Sequence, residues 1–125
     1  MIVKTLDTFG VYQLSLKIGE EVWNIVAKWD FFAKDTVGKQ LVRSADSIAA
    51  NVAEGQGRYF YKDRRIYCFY SRGSAFETLT WLEKGKQRNL LDEAKFQQLS
   101  AMIEEFKAKL NGYISTLNQQ ITTPK

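Results

Sequence analysis

The chain contains no histidine and only one cysteine, Cys68. Histidine is the commonest metal ligand and the side chain that titrates nearest neutrality. Its absence argues against zinc catalysis and against Ser/His or Cys/His nucleophilic chemistry. A lone cysteine excludes an intrachain disulfide and any CxxC metal or redox motif. The one proline is Pro124, so nothing before it is barred from a helix by a missing N–H. No apolar run approaches the ~20 residues of a membrane span. Met1-Ile2-Val3-Lys4 leads into polar and charged residues rather than the core of a signal peptide. From these absences we expect a protein of the reducing cytoplasm, with no membrane segment, cofactor or metal, and no enzymatic activity.

What is present points to a packed domain. At 125 residues, with 45% apolar and 26% charged side chains, the chain has the size and composition of one globular domain, 1–125. That length supports a hydrophobic core without disulfides. The net charge of +4 is compatible with an anionic partner and equally with an ordinary soluble surface.

Apolar periodicity divides the chain into four helices, at about 9–29, 37–55, 61–88 and 93–118, with a polar tail over 119–125. In the first, Val11, Leu14, Ile18, Val22, Ile25 and Trp29 recur at helical spacing, and Asp7 or Thr8 is placed to cap it. Asp30-Phe31-Phe32-Ala33-Lys34 reads as a turn with its aromatics tucked under the end of the bundle. Thr36 reads as the next N-cap and Gly55 as the stop. Between them Leu41, Ala45, Ile48 and Val52 form a seam, which Ala49 and Ala53 widen for close helix approach. Ile66, Phe69, Tyr70, Gly73, Phe76, Leu79 and Leu82 read as the apolar face of the third helix. Asp92 caps the fourth, whose stripe runs from Leu99 through Phe106 to Leu117. Short connections imply antiparallel neighbours. The expected fold is therefore all-α, an antiparallel up-down-up-down four-helix bundle.

The functional candidates are basic and polar residues. Arg58, Lys62, Arg64 and Arg65 lie within eight residues, opposed in that span only by Asp63, and Arg72 follows. Arg58, Arg65 and Arg72 are seven apart and share a face wherever the helix holds. Tyr59, Phe60, Tyr61, Tyr67 and Tyr70 interleave with them. Cations neutralise phosphates and exposed aromatics stack on unpaired bases; a solvated face with its aromatics turned inward fits the same residues. Gly55-x-Gly57 lacks the strand-to-helix context of a phosphate loop and reads as a helix stop with a turn. Asn51, Glu54 and Glu77 are polar residues for which structural hydrogen bonding comes first, Glu54 near the start of the third helix. The scattered serines lack a base.

A longer motif surrounds these residues. Gln40-Leu41-x-Arg43-Ser44-Ala45-x-Ser47-Ile48-x-x-Asn51-x-Ala53-Glu54-Gly55-x-Gly57-Arg58 resembles the signature of the four-helix-bundle proteins encoded in 23S rRNA intervening sequences, often labelled S23 ribosomal protein-like. Arg72-Gly73-Ser74-x-x-Glu77 and Leu110-Asn111-Gly112-Tyr113-Ile114 add to the likeness, which covers about residues 9–118. That family is similar to the accessory variability determinant of diversity-generating retroelements, a homopentameric ring of four-helix bundles whose basic surface engages nucleic acid and a reverse transcriptase. The resemblance implies a homo-oligomeric ring, pentameric by analogy, with RNA or DNA, and a reverse transcriptase or other protein, as partners. Arg43, Arg58 and Arg72 become candidates for the charged surface or for inter-subunit pairs with Glu54 and Glu77. Two functions therefore follow as expectations: phosphate binding to RNA or DNA, and a protein-interaction scaffold without nucleic-acid affinity.

Overall fold

A computed structural model describes residues 9–122. Asp7 and Thr8, read as caps of the first helix, lie outside the described residues. Those residues form four helices and no strand. Helix α1 spans Gly10–Val26. Helix α2 covers residues 31–56 continuously: a first turn Phe31–Ala33, a π-helical segment Lys34–Gly38, and a regular stretch Lys39–Gln56. Helix α3 spans Tyr61–Gln87 and α4 spans Glu93–Thr122.

Cross-helix contacts give the topology. Ser44 meets Thr78, Ile48 meets Ser71, and Gly55 lies against Tyr67, so α2 and α3 run in opposite directions. Arg65 reaches Asn118 and Arg72 reaches Asn111, so α3 and α4 do too. Phe9 against Tyr113 and Glu21 against Gln98 bring the antiparallel α4 back beside α1. The result is an up-down-up-down bundle around Ile18, Val22, Leu41, Ile48, Leu82, Leu99, Ile103, Phe106 and Leu110. Burying each such side chain contributes about 1.5–3 kcal/mol.

The α2–α3 contact is the most extensive of these, and its chemistry is distinctive. Ser44, Ala45, Ala49, Ser71, Ala75 and Thr78 are all buried there. Small side chains let the two backbones approach closely. Their hydroxyls are satisfied in place: Ser71 Oγ donates to the Ile48 carbonyl at 2.8 Å and Thr78 Oγ1 to Ser44 Oγ at 3.1 Å. Gly55 belongs to the same contact. It is buried within α2 rather than ending it, and no glycine among the described residues has positive φ. A Cβ built on Gly55 would sit 2.9 Å from Tyr67 Cβ and 3.3 Å from the Arg64 carbonyl. Gly55 is required by proximity; the helix stops two residues later, at the Gly57 cap.

Several local expectations are corrected. Asp30, not Thr36, caps α2: its Oδ1 accepts from the Ala33 N–H at 2.9 Å. Thr36 lies inside the helix and donates back to the Phe32 carbonyl at 2.7 Å. The π-helical segment adds a residue to the local period. Ala33 and Val37 face inward, while Phe31 and Phe32 stand out at 80% and 76% exposure instead of tucking under the bundle. The chain from Gln119 to Thr122 is helical rather than a loose tail. Asp63, which by residue type also reads as a cap for the third helix, lies instead in the first turn of α3, whose N-cap position, Phe60, has no side-chain cap. Helix α3 closes on Asn89 at φ 60°, with the Leu90 N–H returning to the Gly85 carbonyl at 2.8 Å. Asp92 does cap α4, accepting from the Lys95 N–H at 2.7 Å.

Two glycines of this bundle respond oppositely to alanine. Gly55→Ala forces apart the α2 and α3 backbones and lowers stability by about 1 kcal/mol or more. Gly73 has nothing within 4 Å of its virtual Cβ, so Gly73→Ala raises stability by about 0.5–1 kcal/mol through helix propensity alone. Thermal denaturation followed by circular dichroism checks both signs.

Candidate nucleic-acid interface

The small inner face of α3 determines its outer face. Cys68, Ser71, Ala75, Thr78 and Gly85 fill its buried side, while Ile66, Phe69, Tyr70 and Phe76 are exposed. The expected apolar face therefore divides: Leu82 enters the core, and the large aromatics lie outside. The described structure thus carries an aromatic outer stripe along one helix, flanked by cations.

The cations fall into two groups. Arg43 is bound by the Glu77 carboxylate, which also accepts from Trp81 Nε1 at 3.1 Å. Arg58 pairs with Glu54 at 3.1 Å and donates to the Tyr67 hydroxyl at 2.7 Å. Glu54 is thereby committed to Arg58. Both acidic candidates thus pair within the chain. The second group has neutral partners. Arg65 Nη1 donates to Asn118 Oδ1 at 2.7 Å, and Arg72 Nη1 to Asn111 Oδ1 at 2.8 Å. Arg64 Nε donates to the Arg58 carbonyl at 2.8 Å. Among the described residues, Lys62, Arg64, Arg65 and Arg72 have no carboxylate partner. Aromatic rings support two of these guanidinium groups, Arg72 over Phe69 at 5.1 Å and Arg64 over Tyr61 at 5.7 Å. Such contacts orient a cation without cancelling its charge.

The face shared by Arg58, Arg65 and Arg72 on heptad spacing does not form. Arg58 precedes α3 and turns toward α2, whereas Arg65 and Arg72 reach toward α4. Lys107, ion-paired with Glu104 at 3.0 Å, lies on the same seam with its ammonium 4.2 Å from the centre of the Phe76 ring. In these three α3–α4 pairs the residue numbers sum to the same value, the mark of a constant antiparallel register. Sequence reasoning missed Asn111, Asn118 and Lys107; their spacing on α4 matches that of Arg72, Arg65 and Phe76 on α3. Asn51 donates to the Ser47 carbonyl at 2.9 Å, a local structural bond.

The reactive groups are few. Burial pushes the Cys68 thiol up to about 11, with the Arg72 guanidinium pulling the other way, so the thiolate is scarce at neutral pH. Among the described residues no three thiol or carboxylate side chains gather as metal ligands would. No helix there is long and apolar enough to cross a membrane. A separate groove of about 600 Å³ opens between α1 and α2, lined by Trp23, Ala27, Phe31 and Val42, with Asp35 and Arg43 among its charged lining residues.

These features define a class: an all-α bundle with a small-residue seam inside and a cationic, aromatic helix outside. The chain belongs to the 23S rRNA-intervening sequence protein family, whose model matches residues 7–112. Its fold is similar to that of a protein of unknown function from the S23 ribosomal protein family of Bacteroides thetaiotaomicron. The two share 22% identity and a TM-score of 0.75 over 83% of this chain and 97% of that one. No protein with a curated description matches the sequence.

One carboxylate outside the interface, on the exposed side of α2, holds its proton above the ordinary range. Asp46 Oδ1 lies 3.0 Å from where Gly19 would carry a Cβ, so the missing side chain on α1 makes room for it. Burial, and then the neighbouring Glu20 charge, raise its pKa above the ordinary 3.8. The folded state therefore holds the Asp46 proton more tightly than the unfolded state. Stability from this group is present below pH 3.8 and falls as pH rises through the raised value. Asp46→Asn should raise the melting temperature at pH 7. The advantage should shrink toward zero below the ordinary carboxylate range.

Proposed function

We propose that this protein is a non-enzymatic, homo-oligomeric bundle that binds RNA or DNA phosphates, with little base specificity, through the Lys62, Arg64, Arg65 and Arg72 surface. The observation that carries this reading is the choice of partners. Arg65 and Arg72 are oriented by asparagine amides across the α3–α4 seam, on exposed hydrogen bonds, and keep their full charge. Arg43 and Arg58 are neutralised within the chain and contribute little. An array of fixed, uncompensated cations attracts a polyanion and releases its counterions on binding.

Assembly is supported by the apolar surface. Ile66, Phe69, Tyr70 and Phe76 lie along α3, while Trp23 and Phe31 flank the α1–α2 groove, and all are exposed. Two different patches on one chain suit a heterologous contact, which closes into a ring when the rotation permits. The same groove favours a second reading, a protein-interaction scaffold for a partner such as a reverse transcriptase, without direct nucleic-acid binding. A stable ring by light scattering that retains no RNA at low salt supports that second reading over the first.

Fluorescence anisotropy with a structured RNA at low salt tests the charge assignment. Arg65→Glu with Arg72→Glu should weaken binding about tenfold or more, with the helical circular dichroism signal intact. Removing both neutral pairs whole, by Arg43→Gln with Glu77→Gln and Arg58→Gln with Glu54→Gln, should change it little. Equal losses from the two sets of substitutions contradict the assignment.

A further inference from the structure

The connection between α2 and α3 is short and carries two consecutive aromatics, Tyr59 and Phe60, with Tyr61 opening α3. Turns between helices are ordinarily built from glycine, asparagine, aspartate and serine, which meet the backbone's needs. These rings do little for the core. Tyr59 is 85% exposed and Phe60 is 64% exposed, and neither belongs to the core cluster.

Their exposure is not the result of a loose turn. The Gly57 N–H bonds to the Ala53 and Glu54 carbonyls, and the Arg58 N–H to the Gly55 carbonyl at 3.1 Å. The Arg58 carbonyl receives Arg64 Nε, and its guanidinium is held by Glu54 and Tyr67. The Phe60 carbonyl accepts from the Asp63 and Arg64 N–H groups, both at 3.1 Å. Backbone on both sides of Tyr59 is therefore fixed, and the two rings project from an ordered base. They meet edge to face, with centroids 4.9 Å apart and planes at 90°. That contact covers one ring face and leaves the others open.

We infer that the Tyr59–Phe60 pair is a stacking platform for unpaired bases, which makes single-stranded RNA or DNA, or the loops of folded RNA, the preferred ligand. The inference rests on the phosphate-binding reading above and deepens it. Lys62 and Arg65 follow two and five residues after Phe60, in the first turns of α3, and neither has a carboxylate ion-pair partner among the described residues, so both can meet the phosphates flanking a stacked base. Every base has a π face, so the platform adds affinity without reading sequence. Paired bases in a duplex keep their faces covered by one another and gain nothing from it. Because the rings are already positioned, little ordering is lost on binding.

The test uses the full chain, a fluorescent single-stranded oligonucleotide, a hairpin duplex of matched charge, and an abasic strand of the same length. The wild type should prefer the single strand to both the duplex and the abasic strand. Tyr59→Ala with Phe60→Ala should weaken single-strand binding about tenfold and leave duplex and abasic binding unchanged. Tyr59→Trp with Phe60→Trp should restore the preference. Equal affinity for all three probes, or no loss in the alanine variant, overturns the platform while phosphate binding stands. Binding of none of the probes at low salt overturns both readings together. A change of oligomeric state in the alanine variant, or binding of the wild type to anionic lipid vesicles that the variant loses while its oligonucleotide affinity is kept, assigns the rings to another surface and overturns the platform as well.

Discussion

The close approach of α2 and α3 is the constraint on which the rest of the structure depends. It requires small side chains along both helices, and Ser44, Ala45, Ala49, Gly55, Ser71, Ala75 and Thr78 supply them. A helix that spends its inner face on serine, alanine and threonine has its large residues elsewhere. In α3 they lie on the outside, as Ile66, Phe69, Tyr70 and Phe76. The aromatic surface is thus the other side of the packing solution. The hydroxyls in the contact would be costly if left unpaired; bonds to the Ile48 carbonyl and to Ser44 remove that cost and pin the register.

The fixed register then orders the charges. Glu54 and Glu77 lie beside Arg58 and Arg43 on the α2–α3 side, and both pairs are exposed, so each adds little to stability. Their consequence is electrostatic: they remove two of the arginines from the field that a ligand meets. On the α3–α4 side the partners are Asn111 and Asn118, which hold a guanidinium without cancelling it. A net charge of +4 is modest for the chain as a whole. Sorting it by helix edge gives it a direction, toward the turn before α3 and the seam with α4.

Much of the fold was legible in the sequence, because period and caps are local properties. The stripe from Leu99 to Leu117, the seam from Leu41 to Val52 and the Asp92 cap all carried their own signals. The start of α2 was not legible, since a π-helical segment changes the period between Ala33 and Lys39, and Thr36 has the residue type of a cap wherever it stands. Gly55 was misread because a glycine near a helix end has the same appearance whether it terminates the helix or admits a neighbour. The basic residues were found, but not their grouping. Heptad spacing places residues on one face only inside one helix, and Arg58 lies before the start of α3. Which arginines are neutralised depends on carboxylates and amides brought close by folding, and spacing along the chain does not carry that information. Family membership fixes the bundle; the partners of these side chains distinguish one charged edge from the other.

The central claim is that uncompensated cations on α3 engage nucleic-acid phosphates, and the salt dependence of binding tests it most directly. The observed association constant for a single-stranded RNA should be measured across a range of monovalent salt. Four cations, Lys62, Arg64, Arg65 and Arg72, each contacting a phosphate, predict a log–log slope of about −3. A flat response, or no measurable binding at the lowest salt, would contradict the account.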